Sequence, residues 1–104
     1  DLYRELARQR PDAFTPNLAT SLIVLALRSE EAKGATLAVP FAHQAIQTLS
    51  PAFMVRPQAH NRLMLAMLKD YLRLCHAARI KPDMALLAPL IPLFQPPTEE
   101  KTHD

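Results

Sequence analysis

The chain has 104 residues, 49% hydrophobic and 21% charged, with a net charge of +2; this is enough for one domain and too apolar for a disordered chain. One glycine and one cysteine exclude Gly-rich phosphate loops, hairpins turned by Asn-Gly or Asp-Gly, and an internal disulfide framework. No apolar run approaches ~20 residues, so no membrane span is expected, and the single Cys75 suits a reducing, cytoplasmic compartment.

Residues 2–9 read as a short helix, with Leu2, Tyr3, Leu6 and Ala7 on one face and Pro11 as its stop. The second helix is expected over 17–31, after Pro16. Leu18, Leu22, Leu25 and Ser29 form one of its stripes; Ile23, Val24 and Leu27 form another. A helix apolar on two sides needs cover on two sides, so 17–31 reads as an inner rod of a stack. Gly34 is placed to take a left-handed cap, and Thr36 to cap a third helix over 37–49. That helix carries Ala38, Phe41, Ala42, Ala45 and Leu49, small residues that permit close approach. Pro40 fits it only within a first turn.

"SPAFMVRP", from Ser50 to Pro57, reads as the next break. A fourth helix follows over 58–78, with Leu63, Met67 and Leu74 on one side and Met64, Leu68, Leu72 and Cys75 on another; it is the second expected inner rod. "RIKPD" ends it. A short helix over 83–88 and an extended segment cut by Pro89, Pro92, Pro96 and Pro97 should then cap the fourth helix. The domain is thus expected to be all-α over 1–96, with four to five helices, and 97–104 to be a disordered tail. Without the charges from Pro97 onward the rest holds 11 basic and 7 acidic residues, or +4. That is short of the dense clustering of a nucleic-acid binder.

The breaks recur. "RPDAFTP" and "SPAFMVRP" share Pro, Ala-Phe and a closing Pro, with Ala-Phe pairs 39 residues apart at Ala13 and Ala52 and closing prolines 41 apart at Pro16 and Pro57. A period near 40 residues is the spacing of a helical-hairpin solenoid. The run "LYRELARQRPDAFTPNLATSL…LA…R" resembles the long-period tetratricopeptide repeats of bacterial multi-repeat proteins, over residues 2–50. The matching positions are Leu22, Leu25 and Ala26 on the first helix of a pair, Ala38 and Ala45 on the second, and Tyr71 at the aromatic position of a second unit. In that second unit "MALLAPLIPLF" stands where the small-residue helix belongs. The resemblance implies antiparallel helix hairpins stacked into an α-solenoid whose concave face binds peptides or proteins, with no catalysis and no cofactor. At least ~3 repeats normally share such a core. The chain is therefore expected to end a longer array, or to complete itself as a homodimer through an exposed stack end.

Thr20, Ile23 and Leu27 are the candidate groove residues of the first pair, and Arg62, Lys69, Arg73 and His76 form a basic stripe on the fourth helix. A partner's apolar segment would suit the former, an acidic peptide the latter. Set against this, Ile23 and Leu27 also read as buried core, and a charged stripe as a solvated face. Cys75 and His76 diverge by ~100° on a helix and cannot share a metal unaided; His43 and His60 lack ligand spacing. No local signature of a catalytic triad, metal site or cofactor site is present. The sequence points to a non-enzymatic protein-interaction or scaffolding module, with a small basic nucleic-acid-binding domain as the weaker alternative.

Overall fold

The computed structural model describes the backbone of residues 11–94 and the side chains of 15–94. The helix expected over 2–9 and the tail expected over 97–104 lie outside them. Three long helices dominate: α1 (Pro11–Lys33), α2 (Ala35–Val55) and α3 (Pro57–Ala78). A single turn of helix, α4 (Met84–Leu87), and a 3-10 turn at Ile91–Leu93 complete the described chain. No strand occurs among the described residues.

α2 packs along both α1 and α3, whereas α1 and α3 do not pack along each other. The three therefore form an open layer with α2 in the middle. A single residue joins each pair. Gly34 links α1 to α2 at φ 97° and ψ 167°, a region essentially closed to side-chain-bearing residues. Its N–H donates to the Glu30 carbonyl at 2.9 Å. Arg56 links α2 to α3, and Pro57 then takes the first position of α3, where its missing N–H costs nothing. α3 ends on Arg79 in the left-handed conformation, φ 59°, with the Ile80 N–H returning to the Cys75 carbonyl at 2.9 Å.

The buried side chains form one cluster. α1 contributes Leu18, Ala19, Leu22, Ile23 and Ala26; α3 contributes Met64, Met67, Leu68, Tyr71, Leu74 and Cys75. α2 buries Ala38, Ala42, Ala45, Ile46, Leu49 and Phe53 completely. The C-terminal segment seals its far side: Leu87 and Leu90 are buried, and the Phe94 ring lies 5.1 Å from Phe53, centroid to centroid.

Several expectations are corrected. The sandwiched rod is α2, not 17–31 or 58–78, each of which leaves one apolar side open: Val24 and Leu25 on α1, Leu65 and Leu72 on α3, all 41–44% exposed. Leu25 is thus a surface residue, unlike Leu22, Ala26, Ala38, Ala45 and Tyr71, which are buried. The helices also run through the supposed breaks. α1 begins at Pro11 rather than 17, and Pro16 lies inside it. α2 contains both Pro40 and Pro51. A proline inside a helix forfeits the bond to the carbonyl four residues back. Here the carbonyls so released belong to Thr36 and Gln47, both exposed residues that water reaches. The Ser50 hydroxyl also donates to the Ile46 carbonyl at 2.7 Å. Burial of Ala52 and Phe53 beyond Pro51 holds the last turn in place. Thr36 is no cap: Gly34 is the N-cap residue, and no side chain bonds the open N–H groups. The short helix spans Met84–Leu87 instead of 83–88, and a 3-10 turn interrupts the expected extended run. The two Ala-Phe phrases consequently occupy different places, Ala13–Phe14 near the start of α1 and Ala52–Phe53 near the end of α2, so their 39-residue spacing does not mark equivalent places in two helices.

Two substitutions test this packing. Gly34→Ala meets open space but a forbidden backbone angle, and should cost about 1–3 kcal/mol in denaturant unfolding. Ala45→Leu places three extra carbons at a fully buried site and should cost about 1–3 kcal/mol. An unchanged midpoint for the latter would mean that α2 is not the central helix.

Candidate interaction surface

The most concentrated polar cluster with catalytic-looking members joins α2, α3 and the segment before α4. His43 Nε2 lies 2.9 Å from Asp83 Oδ2. The Tyr71 hydroxyl accepts the Asp83 backbone N–H at 2.9 Å. The His43 and Tyr71 rings meet edge to face at 6.0 Å. Asp83 Oδ1 accepts the Leu86 N–H at 3.2 Å, which starts α4. Burial pushes both the Tyr71 phenol and the Cys75 thiol upward from their ordinary pKa values. Both groups therefore stay protonated at neutral pH, the wrong state for a nucleophile. What the cluster does is fasten the C-terminal segment across α2 and α3.

A second polar link ties α1 to α3. Arg73 donates to both carboxylate oxygens of Glu30, at 2.8 and 3.0 Å. Glu30 shares a helical face with Ile23 and Leu27, and Arg73 shares one with Arg62 and Lys69. The pair thus brings those two sets to the same side of the layer at that end. They do not make the single groove expected of them. Ile23 is buried and Leu27 half-buried, so of the three α1 candidates only Thr20 is exposed, and Arg73 is engaged by Glu30.

The outer face of α3 remains. At 100° per residue, Leu65 and Leu72 lie within ~20° of each other, with His76 and Lys69 beside them and Arg62 at ~60°. Asp70 falls well off this face. Leu65 is 43% and Leu72 44% exposed. The seam runs into a depression of about 540 Å³ beyond the end of α3, lined by Leu72, His76, Arg79, Ile80, Lys81 and Pro82, with Cys75 at its floor. Ile80 is 39% exposed. From Arg56 to Lys81 the chain carries six Lys or Arg and one Asp. Sequence reasoning found Arg62, Lys69 and His76 but missed Leu65, Ile80, Arg79 and Lys81. A helical wheel of α3 signals Leu65; the last three sit past the helix end, where only the left-handed turn at Arg79 brings them round.

The two polar links make stability acid-sensitive. The hydrogen bond with His43, and then the Leu86 N–H, holds the Asp83 carboxyl below its ordinary pKa; the Arg73 hydrogen bonds do the same for Glu30. A depressed carboxyl contributes its stabilisation above the unfolded pKa and loses it as pH falls through the folded one. The melting temperature should therefore fall as pH drops below about 4, where carboxyls ordinarily titrate. Asp83→Asn combined with Glu30→Gln should flatten that fall, and an unaltered acid slope in the double variant would refute the assignment. No group of three metal-ligating side chains occurs among the described residues, and none of their helices is long and apolar enough to cross a membrane. Comparison of the chain with family models, with curated proteins and with solved structures returns no match.

Proposed function

We propose that this chain is a non-enzymatic helical module that docks another protein, or scaffolds one, through the outer face of α3. The observation that carries the reading is the exposed pair Leu65 and Leu72, about two turns apart on α3 and flanked by Lys69 and Arg62, which have no carboxylate partner among the described residues. Aliphatic side chains in that arrangement are what a partner's apolar segment buries. The clustered polar groups, by contrast, are engaged in holding the fold together. A stack of helix pairs related to tetratricopeptide repeats remains the architecture in which such a layer fits best, since α1 and α3 both leave apolar edges that further helices, or a second copy, would cover. A reducing, cytoplasmic setting suits the buried free thiol of Cys75.

The cations of α3 also favour a second reading, a nucleic-acid-binding surface. Phosphate contacts would use the basic residues and leave Leu65 and Leu72 without a role, which ranks that reading lower. The two readings separate by experiment. Peptides selected on the full chain from a random displayed library should include binders whose affinity falls about tenfold, near 1.4 kcal/mol, in Leu65→Asp or Leu72→Asp. A library that yields no binder, or only binders indifferent to both changes, would count against a docking role for α3.

A further inference from the structure

We infer that the face of α3 is built for an acidic amphipathic segment, one that sets apolar side chains against Leu65, Leu72 and Ile80 and carboxylates against the cations beside them. This deepens the docking reading and rests on it. Charge complementarity is the argument. Among the described residues, Glu30 and Asp83 are engaged, by Arg73 and His43. Arg62, Lys69, Arg79 and Lys81 have no carboxylate partner among the described residues, and all four belong to one helix and its exit. Along α3 Arg62 and Lys69 flank the leucine seam on one side; past its end Arg79 and Lys81 line the depression together with Ile80. Leu65 and Ile80 are fifteen residues apart, so the surface is about 20 Å long, the reach of roughly four turns of a bound helix.

The exit turn adds a separate observation. Arg79 holds φ 59°, a conformation that disfavours any residue with a Cβ and that glycine would take without strain. The chain nevertheless carries an arginine there, and its side chain lines the depression. Strain of this kind gathers at sites of function.

Other occupants fit less well. A second copy offers no run of carboxylates among its described residues, since Glu31 and Asp70 stand alone on different helices. The acidic end of this chain, "TEEKTHD", carries no large apolar residue to meet the leucines. A nucleic acid would neutralise the cations but bury no aliphatic seam.

The test uses two synthetic helical peptides with one apolar pattern, flanked in one by glutamates and in the other by lysines, titrated into the full chain by fluorescence anisotropy. The acidic peptide should bind and the basic one should not. Lys69→Glu, at an exposed site, should weaken the acidic peptide about tenfold and confer affinity for the basic one. Arg79→Gly should weaken binding while raising the melting temperature by a few degrees, because it relieves the turn; loss of affinity in a more stable protein is not unfolding. Preference for the lysine peptide at the same leucines would overturn the charge assignment and leave the docking reading intact. Binding of an oligonucleotide with neither peptide bound, steeply salt-dependent and unaffected by Leu72→Asp, would overturn both. Concentration-dependent self-association lost in Leu72→Asp, with no peptide binding, would overturn the acidic segment in favour of a second copy.

Discussion

The architecture depends on one helix that has nothing to say to water. From Gly34 to Val55 the sequence holds no Asp, Glu, Lys or Arg. Twenty-one residues of such a helix must be covered on more than one side, and α2 obtains that cover from α1, from α3 and from the segment ending at Phe94. Its alanines let the neighbours come close, and Ile46, Leu49 and Phe53 fill the space between. Once α2 takes the centre, α1 and α3 are edges. Their charges then go outward, and whatever apolar surface exceeds the need of the inner contact goes outward with them. The exposed Val24, Leu25, Leu65 and Leu72 follow from the topology as much as from any local pattern.

The helical class and the apolar faces were legible because a 3.6-residue period survives in Leu18, Leu22, Ala26 and in Ala38, Ala42, Ala45, Leu49. Which rod is inner was legible too, though in a different feature from the one read first. Density of aliphatic residues pointed to 17–31 and 58–78; absence of charge pointed to 35–55, and absence of charge is the better guide, since an edge helix can carry leucines on its solvated face while a central helix has little surface left for charge. The proline rules misled for a similar reason. They weigh one lost hydrogen bond and a local clash, whereas Pro40 and Pro51 sit on the wet side of a helix whose opposite side buries eight residues. Tertiary packing outweighs the local penalty when the freed carbonyl can still meet water.

The fastening of the C-terminal segment lay beyond sequence reading altogether. His43 and Asp83 are 40 residues apart, and Tyr71 meets Asp83 through a backbone N–H that no side-chain pattern announces. Once seen, these contacts explain a good deal. They take up histidine, tyrosine, aspartate and cysteine, the residue types from which a hydrolytic site would be assembled, and arrange them as a clasp. The same clasp closes the open side of α2, so the polar chemistry of this protein is directed inward to stability.

What is directed outward is positive charge, and its distribution bears on how the molecule is used. Exposed ion pairs contribute little to stability one at a time, and like charges along a helix contribute a small penalty. The fold gains nothing from leaving Arg62 and Lys69 on one side of α3 and Arg79 and Lys81 at its exit, with Asp70, off that face, as the one carboxylate of the helix. A fold indifferent to charge would be expected to intersperse the two signs, as α1 does with Arg28, Glu30, Glu31 and Lys33 within six positions. The contrast between a mixed edge at α1 and a predominantly basic edge at α3 is not required by packing, because both helices pack against the same uncharged rod. The docking surface proposed above would use this contrast, the cations steering a partner's approach and the leucines beside them holding it.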